Sequence, residues 1–134
     1  MLPNRWTLFA AIALSSVIPA VAATCESLAS LKLPDTTITL AQTVAAGAFT
    51  MPGGGFMPSP VSPKSLPAFC RVAATLRPSK DSDIKIEVWL PADGWNGKFQ
   101  GVGNGAWVGA IIYPALMAAL EKGYATAGTD TGHA

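Results

Sequence analysis

Between Ile84 and Leu90 apolar and polar side chains alternate residue by residue. Ile84, Ile86, Val88 and Leu90 fall on one face and Lys85, Glu87 and Trp89 on the other, the period of a strand in a sheet that is wet on one side. Phe69–Leu76 (FCRVAATL) is a second strand candidate, and the polar stretch Arg77–Ser82 between the two, with Pro78 in it, predicts a hairpin. Upstream, Leu28, Leu31 and Leu33 predict one or two helical turns from Cys25 to Leu33, ended by Pro34. The β-branched run Thr36–Leu40 predicts an extended segment. From Ala45 to Pro67 the chain carries Gly53-Gly54-Gly55 and five prolines, which predicts a long exposed loop that borders a binding site or serves as a linker.

Past the hairpin, Pro91–Gly97 reads as a turn and Lys98–Val102 as a strand that runs into Gly101-Val102-Gly103-Asn104-Gly105. Tyr113-Pro114 opens a helix, with proline in the first turn, where its missing N–H costs little. Leu116, Met117 and Leu120 share one helical face, and Gly123 is the stop signal. Tyr124–Gly128 is a short strand and Thr129–His133 a turn. A hairpin followed by strand, loop, helix and strand predicts an α/β sheet with an antiparallel leading edge. A sheet that small with one helix is a poor core by itself, so the chain is expected to be the N-terminal piece of a longer protein.

Composition adds a compartment. With 134 residues, half of them apolar, one domain is the expectation. Residues 1–23 follow the plan of a secretory signal: Arg5, an apolar stretch from Trp6 to Ile18, then Pro19-Ala20-Val21-Ala22-Ala23, with cleavage after Ala22 or Ala23. The apolar stretch is shorter than the ~20 residues a bilayer crossing requires, and a lipid anchor on Cys25 is disfavoured by the bulky Thr24 before it. The mature part, residues 24–134, then carries eight basic and eight acidic side chains, without a basic patch for nucleic acid or an amphipathic helix for a membrane surface. A small molecule or another protein is the expected partner. Export implies an oxidising compartment, in which Cys25 and Cys70 are expected to pair rather than persist as two buried thiols.

The glycine loop admits three readings. Gly101-Val102-Gly103-Asn104-Gly105-Ala106 matches a G-x-G-x-x-A dinucleotide fingerprint, with Asp130 placed for a ribose. Against this, the helix is expected only near Pro114. Alternatively the glycines serve φ > 0 or close packing without a ligand. In the third reading the loop follows a third strand and offers N–H groups to an oxyanion, as the glycine-rich loop of α/β-hydrolases does. No serine lies in a G-x-S-x-G elbow, and the one histidine, two cysteines and scattered carboxylates have no metal-ligand spacing. His133 is expected to bond within its turn rather than act as a base. Trp89, Trp95 and Trp107 are packing candidates, and Trp107 beside the loop is placed to rim an aromatic substrate.

The segments EVWLPADGWNGKFQGVGNGAWVG and GYATAGTDTGHA resemble the tannase and feruloyl esterase family, secreted serine esterases of the α/β-hydrolase fold, and the likeness extends back to CESLASLKLPDTTIT. The resemblance implies the N-terminal part of an α/β-hydrolase domain over residues 24–134, incomplete, with backbone amides of Gly103, Asn104 and Gly105 as part of an oxyanion hole. It implies hydrolysis of aromatic carboxylic esters, feruloyl, galloyl or related. The catalytic Ser, Asp and His, with two cysteines that bridge serine to histidine, are expected downstream, so the chain alone is expected to be inactive. No cofactor is implied in this segment, and calcium in a later lid domain. The resemblance also matches the Cys25–Cys70 pairing. Ala106 departs from the family, which usually has glycine there. A secreted non-catalytic domain that binds aromatic ligands or proteins is the alternative.

Overall fold

The computed structural model describes residues 23–54, 58–105 and 109–132, so nearly all of the expected signal lies outside the described residues. Five strands, β1 (Thr36–Val44), β2 (Phe69–Leu76), β3 (Ile84–Pro91), β4 (Phe99–Val102) and β5 (Ala125–Thr129), form one sheet in the order β1-β2-β3-β5-β4, and one α-helix, α1 (Tyr113–Glu121), connects β4 to β5. The predicted hairpin is present, with Phe69 opposite Pro91 and Leu76 opposite Ile84. β1 adds antiparallel on its outer side, with a bulge between Ile38 and Leu40, and β5 pairs antiparallel with β3. Only β4 and β5 are parallel, as a strand–helix–strand crossover requires. The helical turns read near Leu28 are a 3-10 turn, Glu26–Ser30.

The two faces of β3 are the reverse of the sequence expectation. Trp89 is 0% and Glu87 4% exposed, because their face carries α1 and the returning chain, while Leu90 on the other face is among the exposed hydrophobics. Burial of Glu87 is tolerable since every lone pair direction is met. Its carboxylate accepts from Arg71 Nε at 2.8 Å, from Arg71 Nη2, from Trp89 Nε1 at 2.7 Å and from the Tyr113 hydroxyl at 2.8 Å. A buried charge so paired and bonded avoids the penalty of desolvation without partners.

The long segment after β1 also departs from expectation. Phe49, Val61 and Leu66 are buried with Val44, Phe69, Trp89, Leu116, Met117 and Leu120 in one core. Phe49 stands edge-on to Trp89 with centroids 4.7 Å apart, and Arg71 lies over its ring. Glycine and proline removed regular structure here without removing the apolar residues, so the segment packs as a flap over the sheet instead of hanging in water. Gly47 makes that possible: it has φ 70°, and a Cβ would stand 2.9 Å from the Lys64 carbonyl oxygen. Cys25 and Cys70 form a disulfide with Cα atoms 5.5 Å apart, which pins the 3-10 turn to β2.

α1 buries Leu116, Met117 and Leu120 completely, the face read from the sequence. Its end is set at Gly123, with φ 77°, where a Cβ would come within 2.7 Å of the Gly94 carbonyl oxygen. The turn before β4 docks there, through Asn96 N–H to Gly123 O at 2.9 Å and Asn96 Nδ2 to Lys122 O at 2.8 Å. That contact sets where β4 enters the sheet.

Candidate functional site

β4 and β5 run parallel with Val102 level with Gly128, so the segments that leave their C-terminal ends emerge side by side. These are Gly103–Gly105 and Asp130–Gly132. In open α/β sheets such carboxyl ends are where ligands bind.

The glycine loop does not need its glycines for backbone shape. Gly101, Gly103 and Gly105 are absent from the left-handed positions, and no described residue lies within 4 Å of where a Cβ would stand at Gly103 or Gly105. Among the described residues the packing explanation therefore fails for these two, and the missing side chains leave open space there. Among the described residues the N–H groups of Asn104 and Gly105 have no protein acceptor. A groove of about 430 Å³, almost wholly apolar, includes Gly101, Gly103, Ala127 and Ile86 in its lining.

Across from the loop, Asp130 spends its Oδ1 on two main-chain donors, Lys85 N–H at 2.8 Å and Gly132 N–H at 2.9 Å, and its own N–H bonds Lys85 O at 3.0 Å. Thr129 Oγ1 also donates to Lys85 O, at 3.0 Å. This turn is bolted to β3. Asp130 thus shapes a turn, and α1 starts only at Tyr113 with no side-chain cap, so neither mark of a dinucleotide fingerprint is in place. The Asn104 side chain reaches over and donates from Nδ2 to Thr131 Oγ1 at 3.0 Å. Trp107, expected at the pocket rim, lies outside the described residues, as do Ala106 and His133.

On the other side of the sheet a cavity of about 520 Å³ is bordered by Lys85, Glu87, Tyr113 and Asp130. Its titratable groups are committed. Burial, and then the hydrogen bond to Glu87, pushes the Tyr113 hydroxyl up, and the hydrogen bond to Glu87 holds Arg71 above its ordinary value. Neither is poised for proton transfer near neutral pH. No three His, Cys, Asp or Glu side chains come together as a metal site among the described residues.

Sequence reading paired Cys25 with Cys70, and the structure has that disulfide. It missed the Asn104–Thr131 contact and the Arg71–Glu87–Tyr113 cluster. A signal for the cluster was present, since Arg71, Glu87 and Trp89 fall on one face once β2 and β3 are aligned as a hairpin.

Comparison with known proteins gives a consistent answer. The family model described as tannase and feruloyl esterase matches residues 70–134. An uncharacterized esterase of Xanthomonas campestris pv. campestris is 46% identical over 124 residues, 92% of this chain and 20% of that protein. A probable feruloyl esterase of Arthroderma benhamiae is 40% identical over 79 residues, 58% of this chain and 15% of its own length. Among solved structures, feruloyl esterase B from Aspergillus oryzae superposes with a TM-score of 0.67 at 34% identity, over 81% of this chain and 21% of that one. The chain thus spans about a fifth of the length of these relatives or less.

Proposed function

By residues 70–134 this chain belongs to the tannase and feruloyl esterase family, and from that premise we propose that it builds one wall of the active site of a serine hydrolase of aromatic carboxylic esters. The substrates are feruloyl, galloyl or related monoesters. In this reading a serine from polypeptide beyond these residues attacks the ester carbonyl, and the carbonyl oxygen gains negative charge as the tetrahedral species forms. The amides of the Gly103–Gly105 loop, with one from the residue after the nucleophile, stabilise that charge. The catalytic histidine passes the serine proton to the departing alcohol, and water then releases the aromatic acid.

The observation that carries the reading is that, among the described residues, the Asn104 and Gly105 amides have no protein acceptor in a loop that leaves the carboxyl end of a parallel strand. Donors fixed in advance are what such a site needs, since removal of one typically costs about 10²- to 10³-fold in kcat. Residues 1–23 export the protein in this reading, and the Cys25–Cys70 disulfide supports an oxidising destination. Calcium belongs in this reading to a lid domain beyond these residues, and none of these steps passes through it.

A chimaera tests the function. Residues of this chain replace the matched fifth of the Aspergillus oryzae enzyme, and hydrolysis of methyl ferulate is measured beside the 134-residue chain alone. The chimaera is expected to turn over the ester and the chain alone to be inert. A chimaera that folds by circular dichroism yet does not hydrolyse, or a chain that hydrolyses unaided, overturns the proposal.

A further inference from the structure

A segment with glycine at two of three positions has little intrinsic reason to hold one conformation. Something outside the loop must order it. Among the described residues one side-chain hydrogen bond leaves this loop, from Asn104 Nδ2 to Thr131 Oγ1 at 3.0 Å, and both of its ends carry a local cost. Thr131 sits at φ 57°, a left-handed conformation that a β-branched residue seldom adopts. Asn104 Oδ1 is buried and has no hydrogen-bond partner among the described residues, the kind of vacancy that folded proteins usually avoid.

We propose that Asn104 and Thr131 form a positioning latch that fixes the direction of the Gly103–Gly105 amides, a proposal that rests on the hydrolase reading of that loop. The Thr131 hydroxyl commits its proton to the Asp130 carbonyl oxygen at 2.6 Å, so it faces Asn104 only as an acceptor, and the Asn104 amide must present its NH₂. Thr131 N–H is held by Thr129 Oγ1 at 3.0 Å. Thr129 and Asp130 in turn grip the main chain of Lys85. The loop is thereby referred, through one amide and one hydroxyl, to the central strand β3, and the strain at Thr131 is retained because it aims that hydroxyl. The Asn104 side chain and Thr131 touch no reacting atom; they act through the loop.

The test uses Thr131→Ala, Thr131→Gly, Asn104→Ala and the conservative Thr131→Ser. In the 134-residue chain kept monomeric by Leu90→Lys and Phe99→Lys, ¹⁵N order parameters of Gly103, Asn104 and Gly105 are expected to be about 0.85 with the native loop and with T131S, and to fall below about 0.6 with the other three. T131G is expected to lose loop order while its thermal midpoint stays level or rises, since glycine relieves the left-handed strain. A residue serving stability alone would lower the midpoint instead. In the Aspergillus chimaera, T131A and N104A are expected to lower kcat at least tenfold with KM within twofold, T131S restoring kcat, and these rates stand as a test even where the isolated chain fails to fold. Order parameters or kcat unchanged in both T131A and N104A overturn the latch. Loop order lost with kcat untouched overturns instead the oxyanion reading on which it rests.

Discussion

Glu87 shows how a single residue can reverse the reading of a strand. Alternation in β3 assigns the charged face to water, yet four hydrogen bonds from Arg71, Trp89 and Tyr113 let that face carry the core. Removing the charge leaves Arg71, its side chain 19% exposed, facing a neutral partner. Glu87→Gln is therefore expected to cost about 3 kcal/mol, the lower end of what breaking a buried pair costs, as a fall in the urea midpoint at unchanged slope. A cost under about 0.5 kcal/mol, the range of an exposed pair, would mean that solvent reaches the cluster. Residue identities were legible where a local rule decides them, as for Gly123, whose helix-stop role needs only φ > 0. Glu87 was not, because its three partners stand on β2, β3 and α1, and their meeting is a consequence of register.

At the scale of elements, the strands and helix follow from local pattern, and the flap after β1 does not. Five prolines and a glycine run say where hydrogen-bonded structure ends. They say nothing about where Phe49, Val61 and Leu66 go once the sheet offers them a surface. The disulfide joins two elements that a distance argument alone could not have placed together. Because its cysteines are 45 residues apart, closing that loop is worth about 4 kcal/mol in the chain-entropy account. Reduction is expected to lower the thermal midpoint of the chain, and Cys25→Ser with Cys70→Ser to reproduce the loss. Equal midpoints with and without reductant would show that the strand pairing of β1 with β2 already fixes the N-terminal turn.

At the scale of the whole sheet, the decisive fact is that among the described residues one face is packed and the other carries exposed apolar side chains. Leu90 at 36%, Trp95 at 60% and Phe99 at 63% exposure leave an apolar surface of the kind that marks an interaction site or an aggregation hazard. β5 lies between β3 and β4, so a further right-handed crossover from β5 to a strand beside β4 would lay its helix on that apolar face. The 134-residue chain by itself is expected to bind ANS and to self-associate, and Leu90→Lys with Phe99→Lys to lessen both at unchanged circular dichroism. A monomer that ignores the dye in sedimentation and fluorescence would contradict this. By itself the sequence determined the hairpin, the strand–loop–helix–strand order, the disulfide partners and the family, since each rests on near neighbours, on a count of two cysteines or on motif residues in fixed order. Only the tertiary structure decided which face of β3 is inside, that the proline-rich segment is a flap, and that Asn104 meets Thr131. Those outcomes depend on contacts between residues far apart in the chain, and side-chain pattern carries no record of which distant partner will satisfy a charge, cover a ring or accept an amide.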